Sequence, residues 1–142
     1  MKIVILDGYA LNPGDLNWEG FEALGDVVVY DRSSPVEVAE RAQGADALIT
    51  NKAIVSRQII DSIDNLKYIG VLATGVNIVD LGAATERNIP VCNIAGYGPY
   101  SVAQMAFAHI LNHTHHLADH VADVQAGGWS RCPDFCYWLN PL

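Results

Sequence analysis

The feature that most constrains the fold of this chain is a regular alternation of short apolar runs with longer helical patterns. The apolar runs are rich in β-branched residues and lie at residues 3–6, 27–30, 47–49, 68–72 and 91–94. Runs of this kind are typical of strands buried on both faces of a parallel sheet. Because helical patterns separate them, the sequence predicts an α/β fold with an open parallel sheet and flanking helices.

Helices are predicted between the strands, at residues 16–24, 35–43, 56–62 and 81–87. Ser34 is suited to cap the second of these, with Pro35 as its first helical residue. A longer helix is predicted from residue 101 to about 126, closed by a C-cap signal at Gly127 and Gly128. Its apolar positions form one stripe at helical spacing: Ala103, Phe107, Ile110, Thr114, Leu117, Val121 and Val124.

Composition narrows the class of protein. The 142 residues are 51% hydrophobic and 17% charged, which is typical of one globular domain. A net charge of −8 argues against binding to nucleic acid or to an anionic membrane surface. No apolar run reaches the ~18 residues that span a bilayer, and the first residues are too short for a signal-peptide core. With three sparse cysteines, the sequence predicts a cytoplasmic protein without a disulfide framework.

A glycine-containing segment, Gly-Tyr-Gly-Pro-Tyr-Ser at residues 96–101, lies between the last predicted strand and the long helix. It is close to the GxGxxG fingerprint of dinucleotide-binding folds, whose third glycine allows close helix–strand packing. Ser101 stands at that third position, and Asp119 and Asp123 fall inside the long helix instead of ending a following strand. The segment therefore favours a turn with Ser101 as the helix N-cap over a cofactor site.

The segment Leu-Ala-Thr-Gly-Val-Asn at residues 72–77 directly follows the fourth predicted strand. Ligands of open parallel sheets bind outside the carboxyl ends of strands, and a loop containing Gly75 can present backbone N–H groups to an anion. The alternative is a plain strand–helix connection in which Asn77 or Asp80 starts the next helix. The spacing alone does not separate these two interpretations.

Four histidines form a stripe on the long helix, because His109, His113, His116 and His120 follow at steps of four, three and four. Histidines at i and i+4 can share a metal ion. No Cys, Asp or Glu with ligand spacing completes a site, although Asp123 lies nearby. The stripe therefore predicts a polar surface at a helix or subunit contact, and no metal site.

Two further features are interpreted as ordinary surface chemistry. Cys132 and Cys136 lack the two-residue spacing and the second pair that a metal or redox site requires. Lys52 follows the third predicted strand and is expected to be an exposed lysine. From residue patterns alone, the sequence predicts an α/β domain with a possible anion-binding loop.

A series of segments extends along the chain in a fixed order: Leu-Lys-Tyr-Ile at 66–69, Ala-Thr-Gly-Val-Asn-Ile-Val-Asp at 73–80, Asn-Ile-Pro-Val at 88–91, Gly-Tyr at 96–97, Ser-Val-Ala-Gln at 101–104, Gly-Trp-Ser at 128–130 and Pro-Asp-Phe-Cys-Tyr-Trp at 133–138. Together they resemble the start of the D-isomer-specific 2-hydroxyacid dehydrogenases, in particular the branch of glycerate dehydrogenase and hydroxypyruvate reductase. The resemblance covers essentially the whole chain.

The resemblance implies a flavodoxin-like substrate-binding domain at residues 1–100 and a long interdomain and dimerisation helix at 101–127. An irregular segment at 128–142 would lead towards a nicotinamide-binding domain. By match to the family, the backbone of Thr74, Gly75 and Val76 would hold the substrate carboxylate. Tyr97 and Lys52 would face the same cleft, and Val102 would approach the nicotinamide.

The resemblance also implies a function, the NAD- or NADP-dependent reduction of a small 2-keto acid such as hydroxypyruvate or glyoxylate. In the family, a catalytic arginine, glutamate and histidine and the GxGxxG motif all come later than the residues present here. None of the five histidines of this chain matches the acid/base histidine. We therefore expect this chain to be inactive by itself, to bind no cofactor and to form a homodimer. The alternative is a non-catalytic anion-binding or dimerisation module of the same fold.

Overall fold

The computed structural model describes residues 1–134, which group into two compact units. The first is Met1–Tyr97, and the second begins at Gly98. Cys136 and the rest of the predicted irregular segment after residue 134 lie outside the described residues. Within residues 1–134, no helix is both long and apolar enough to cross a membrane.

The first unit is built on a five-stranded sheet in which all neighbouring strands are parallel. The strands are β1 (Lys2–Ile5), β2 (Asp26–Val29), β3 (Ala47–Thr50), β4 (Tyr68–Val71) and β5 (Val91–Asn93). Their order across the sheet is β2-β1-β3-β4-β5. This is the flavodoxin-like order. The α/β class and all five predicted strands are therefore confirmed.

Four short helices connect the strands: α1 (Glu19–Glu22), α2 (Pro35–Arg41), α3 (Arg57–Asp61) and α4 (Leu81–Glu86). The start predicted for α2 is confirmed, because Ser34 is its N-cap and Pro35 begins it. The Ser34 N–H donates to the Glu37 carboxylate at 2.8 Å, as in a capping box. One α-helix therefore lies between each pair of consecutive strands, as the alternation in the sequence predicts.

The helix predicted at residues 16–24 is shorter than expected. Its first part is a loop organised by Asn12, whose side-chain oxygen accepts from the N–H groups of Gly14 and Leu16, both at 3.0 Å. The Asn12 amide also donates to the Leu16 carbonyl at 2.8 Å. Such side-chain bonds compete with helix formation, and α1 consequently begins only at Glu19.

The core of the first unit lies on both faces of the sheet. On one face, Leu48 and Ile69 are fully buried against residues of α2, α3 and α4. On the other face, Ile5 and Ile49 pack against half-buried residues of the segment that leads into α1, including Trp18. Alternate strand residues point to opposite faces, which is why apolar residues are continuous in β1 and β3.

The second unit contains α5 (Pro99–His115), α6 (Leu117–Gln125) and α7 (Gly128–Arg131). The single helix predicted for residues 101–127 is therefore wrong, because His116 adopts a left-handed conformation (φ 49°) that interrupts the helical hydrogen bonding. The His116 ring lies 3.3 Å from the Asp119 carboxylate, and its carbonyl accepts from the His120 N–H at 3.0 Å, so α6 starts afresh there.

Both ends of the predicted helix also differ from the structure. Pro99, not Ser101, begins α5, and Gly98 is its N-cap, so the interpretation of Ser101 as the cap is wrong. The fixed φ of proline suits the first helical position. At the other end, Gly127 has φ 80°, which confirms the C-cap signal. Part of the segment predicted as irregular forms α7.

Candidate functional site

The carboxyl edge of the sheet between β1 and β3 is the place where this topology positions a ligand site. The chain leaves β1 towards β2 on one side, whereas β3, β4 and β5 follow on the other. Connections that diverge in this way leave a crevice outside the carboxyl ends of the two central strands. The segments that follow β1, β3, β4 and β5 all meet at this edge.

A cavity of about 290 Å³ lies at this edge. Its walls come from the segments after four strands: Ala10, Leu11, Asn51, Leu72, Ile94 and Tyr97. Four of these residues are apolar, whereas the Asn51 amide and the Tyr97 hydroxyl are polar groups able to orient a small ligand. A mostly apolar pocket with a few polar groups is the usual design of a small-molecule site.

The loop after β4 is fixed on both sides of this cavity. Leu72 N–H donates to the Thr50 carbonyl at 2.9 Å, which attaches the loop to the end of β3. On the other side, the Asn93 side chain donates to the Thr74 carbonyl at 2.7 Å, and the Ile94 N–H donates to the Ala73 carbonyl at 3.1 Å. The loop is therefore held in one shape by its neighbours and does not depend on a ligand for it.

The N–H groups of residues 74–77 are the donors of this loop. Within residues 1–134 they donate to no protein acceptor. Thr74 and Gly75 are exposed, and Val76 is half-buried because its side chain packs against the core. A run of consecutive backbone donors left open at the carboxyl edge of a sheet is suited to an anion.

Gly75 contributes to this loop through its missing side chain and not through its backbone angles. Its backbone is outside the left-handed region, which among the glycines of residues 1–134 is occupied by Gly14, Gly44, Gly96 and Gly127. An added Cβ at Gly75 would lie 3.0 Å from the Asn77 side-chain oxygen. The glycine is therefore not required for an unusual φ, and its contribution is the close approach that a missing side chain allows.

The alternative interpretation of this segment, a strand–helix connection, is also right in part. Asp80 is the N-cap of α4, and its side chain accepts from the Ala83 N–H at 2.8 Å. The Val55 N–H donates to the Ile78 carbonyl at 2.8 Å, and Val55 and Val79 form a parallel bridge. The connection to α4 thus begins at residue 78, and the N–H groups of residues 74–77 have no acceptor in the described part of the chain.

The remaining predicted site residues are distributed over both units. Tyr97 lines the cavity and is 64% exposed. Lys52 is exposed on the turn after β3, next to Asn51, and its side chain is not part of the cavity wall. Val102 lies in the first turn of α5, in the second unit, and is 69% exposed. Sequence reasoning missed Asn51, although its place directly after β3 is a usable signal.

Asp7 is a further residue that the sequence analysis missed. It lies two residues after the end of β1 and is buried, and its carboxylate accepts hydrogen bonds from the N–H groups of Asn51, Lys52 and Ala53. These bonds join the end of β1 to the turn after β3, which are the two segments that border the crevice. A carboxylate that follows an otherwise apolar strand was a signal that could have found it, because burying a charge requires such partners.

The glycine segment at residues 96–101 does not fit a dinucleotide. Gly96 has φ 77° and Gly98 caps α5, whereas Ser101 takes the position where the fingerprint requires its third glycine. After β5 the described residues contain only helices and connecting turns, so no second strand follows to bind a ribose. The geometry of residues 96–101 therefore differs from that of the fingerprint, and the absence of a cofactor site there stays a prediction.

The histidine stripe and a second cavity are two other candidate sites in the described residues. The histidine stripe is interrupted at His116, and residues 1–134 contain no group of three metal-ligating side chains. A second cavity of about 330 Å³ on the sheet face near α1 includes Phe21, Ile49 and Tyr68 and is entirely apolar. Burial, and secondarily the hydrogen bond with Cys92, raises the pKa of Tyr68, which remains neutral there. The apolar cavity therefore offers no donors for a carboxylate.

Comparison with known proteins places the chain in a family. Residues 3–130 match the model of the D-isomer specific 2-hydroxyacid dehydrogenase catalytic domain. A hydroxypyruvate reductase of Blautia hydrogenotrophica is 49% identical over 145 residues, which is 100% of this chain and 45% of that protein. A glycerate dehydrogenase of Methylorubrum extorquens is 29% identical and covers 99% of this chain and 44% of its own length.

The fold comparison agrees with these matches. The structure of a 2-hydroxyacid dehydrogenase from Ketogulonicigenium vulgare superimposes with a TM-score of 0.75 at 24% identity, covering 99% of this chain and 43% of that chain. This chain therefore spans less than half the length of the relatives that it matches. On the family match over residues 3–130, the chain belongs to the D-isomer specific 2-hydroxyacid dehydrogenases.

Proposed function

We propose that this chain is the substrate-binding part of an NAD- or NADP-dependent D-2-hydroxyacid dehydrogenase that reduces hydroxypyruvate or glyoxylate. The family acts on small 2-hydroxy and 2-keto acids, and relatives similar to this chain are a hydroxypyruvate reductase and a glycerate dehydrogenase. These relatives are about twice as long as this chain. The reduction itself would belong to the longer enzyme.

The observation that carries the proposal is the row of open N–H groups at residues 74–77. The loop is fixed to the end of β3 by the Leu72–Thr50 bond and to β5 by the Asn93–Thr74 bond. Its donors are thus preorganised before a ligand arrives, which reduces the entropy cost of binding. A carboxylate of a 2-keto acid would accept hydrogen bonds from Thr74, Gly75 and Val76 without any basic side chain.

The other site residues have subsidiary roles in this proposal. Tyr97, in the wall of the adjoining cavity, would contact the remainder of the substrate. The Lys52 ammonium would add a positive charge near the same edge, in a chain whose net charge is −8. Val102 would approach the nicotinamide ring in the complete enzyme, since it lies at the start of α5.

We expect this chain by itself to be inactive and to bind no cofactor. The glycine segment at residues 96–101 lacks the third glycine of the fingerprint, and none of the five histidines matches the acid/base histidine of the family. A mixture of this chain with NADH or NADPH and hydroxypyruvate should leave the cofactor absorbance unchanged. Steady turnover after removal of host enzymes would contradict this expectation.

The binding proposal is tested by an NMR titration of this chain with oxalate or glycerate. Amide shifts should be largest at residues 74–77, with smaller changes near Tyr97 and Lys52. The affinity should be weak, about millimolar, because few contacts are made and the site is open to water. Shifts that appear only elsewhere, or nowhere in a folded chain, would refute the proposal.

A pair of glycine variants makes this test specific. Gly75→Val places a side chain where the anion would approach, and its nearest protein atom is the movable Asn77 side chain at 3.0 Å. The variant should remain folded and lose the shifts at residues 74–77. Gly20→Val is the matched control, since Gly20 lies in α1 with no atom within 4 Å of an added Cβ. Equal binding by both variants would show that the loop is not the site.

A further inference from the structure

The two buried polar side chains of residues 1–134 both hold the same turn. Asp7 is 4% exposed and Thr50 is fully buried. The Thr50 hydroxyl donates to the Ala53 carbonyl at 2.8 Å, so that it closes the turn from within. Asp7 holds the turn from the neighbouring strand. Burying a polar side chain costs free energy unless it is hydrogen-bonded, and an apolar residue would fill the same space without that cost. Two buried polar side chains at one turn therefore indicate that the shape of the turn is important.

The Asp7 carboxylate is surrounded by consecutive backbone donors. The Asn51 N–H lies 2.9 Å from Oδ1 and 3.0 Å from Oδ2, and the Ala53 N–H donates to Oδ2 at 2.8 Å. The Lys52 N–H donates to the same oxygen. Within residues 1–134, no Lys, Arg or His forms an ion pair with Asp7. The hydrogen bonds to its carboxylate thus come from the backbone of this turn.

This arrangement determines the position of the two residues that follow β3. The turn that Asp7 holds carries Asn51, which lines the 290 Å³ cavity, and Lys52, which is exposed beside it. Three N–H groups that converge on one buried carboxylate leave the backbone of residues 51–53 little freedom. Loss of that carboxylate would release the turn, and Asn51 would no longer have a fixed place in the cavity wall.

We propose that Asp7 is the positioning residue of the substrate site, which fixes the Asn51–Lys52 turn so that the Asn51 amide and the Lys52 ammonium face the bound 2-keto acid. The proposal rests on the proposed function, because it assumes that the anion binds at the carboxyl edge. Asp7 makes no contact with the substrate and acts only through the turn. Its effect is on affinity, through the placement of Asn51 and Lys52.

Asp46 provides a matched control at the opposite edge of the sheet. Its carboxylate also connects neighbouring strands, since it accepts from the Lys2 N–H at 2.8 Å and from the Lys67 ammonium at 2.8 Å. Asp46 directly precedes β3, however, whereas the cavity adjoins the residues that follow β3. Substitution of either aspartate should destabilise the sheet, but only substitution of Asp7 should alter ligand binding.

The experiment compares oxalate titrations, followed by NMR, of the unaltered chain and of the Asp7→Asn and Asp46→Asn variants. In Asp7→Asn the negative charge is lost and an amide NH2 replaces one acceptor oxygen, so in either orientation at least one N–H of the turn faces a donor. The dissociation constant should rise about fivefold or more, as expected for the loss of a charge-assisted bond. It should change less than twofold in Asp46→Asn. Equal dissociation constants for the unaltered chain and folded Asp7→Asn would overturn the proposal and leave the proposed function intact.

If Asp7→Asn does not fold, the role of Asp7 is tested by a measurement on the unaltered chain and by a second variant. On oxalate binding, the amides of residues 51–53 should shift together with those of residues 74–77, and Thr50→Val should weaken binding as Asp7→Asn would. Shifts at residues 74–77 without any change at residues 51–53 would refute the proposed role of Asp7 but not the proposed function. Absence of shifts at both segments would refute the proposed function, and this inference with it.

Discussion

The two units of the chain use apolar side chains in opposite ways. In Met1–Tyr97, large apolar residues such as Ile5, Leu48 and Ile69 are fully buried between the sheet and its helices. In residues 98–134, no residue is buried, and large apolar residues of α5 and α6 such as Phe107 and Val121 are 65% and 56% exposed. The difference shows that an apolar stripe at helical spacing does not predict whether the stripe is buried within the same chain or exposed on its surface.

The comparison assigns different roles to the two units. The first unit buries an apolar core of its own, and its carboxyl edge presents preorganised donors. The second presents an extended apolar surface of the kind that marks contact sites in proteins. We therefore propose, in line with the sequence prediction, that α5 and α6 form the contact of a homodimer.

The largest effect that distinguishes the units is expected from truncating one core side chain. Leu48→Ala removes a fully buried side chain from the centre of the sheet and should lower the free energy of unfolding by about 2–5 kcal/mol. Leu111→Ala, in α5 and 50% exposed, should change it by less than about 0.5 kcal/mol. Chemical denaturation of both variants measures the difference, and comparable losses would mean that the second unit also contains a stable core.

An intermediate effect is expected on self-association. Sedimentation at micromolar concentration should show a dimer or larger species of this chain, since exposed apolar surface is buried on association. Phe107→Asp places a charge on the apolar stripe and should shift the population towards monomer. Asn112→Asp, a polar position of the same helix outside that stripe, should leave the distribution unchanged. A monomer at high concentration for the unaltered chain would contradict the assignment of a contact role to α5 and α6.

The smallest effect is expected in the pH dependence of the first unit. Hydrogen bonds from Arg57 hold the pKa of the Glu86 carboxyl below its usual value, and those from Lys67 and Lys2 do the same for Asp46. Because these pKa values are lowered on folding, their contribution is present above the unfolded pKa and is lost as pH falls through the folded value. The midpoint of thermal unfolding should therefore decrease below about pH 4.5, and less steeply for Asp46→Asn. An unchanged slope would show that this carboxyl does not contribute.

The fold was predictable because its signals are local. Short β-branched runs and the Ser34–Pro35 start predicted the strands and α2 at nearly their observed bounds. The break at His116 was not predictable, because nothing in a continuous apolar stripe signals a left-handed residue that is not glycine. The length of α1 was also predicted incorrectly. Hydrogen bonds to the Asn12 side chain compete with the helical ones, and hydrophobic periodicity contains no information about such bonds.

The site was only partly predictable. The resemblance of the segments to the family predicts Thr74, Gly75 and Val76 as site residues, and the structure adds that their N–H groups have no acceptor within residues 1–134. Asp7 and Asn51 are 44 residues apart in the sequence, and only the pairing of β1 with β3 brings them together. Interactions that depend on strand order in this way cannot be obtained from spacing.

Hydrogen–deuterium exchange of the whole chain, with and without oxalate, tests most directly the claim that the carboxyl edge of the first unit binds the substrate anion. Exchange measures protection at each backbone amide and thus compares the two units in one experiment. We predict that oxalate slows exchange at residues 74–77 and 51–53 and leaves residues 109–120, which carry the histidines, unchanged. Slowed exchange at residues 109–120 with none at 74–77 would contradict the account.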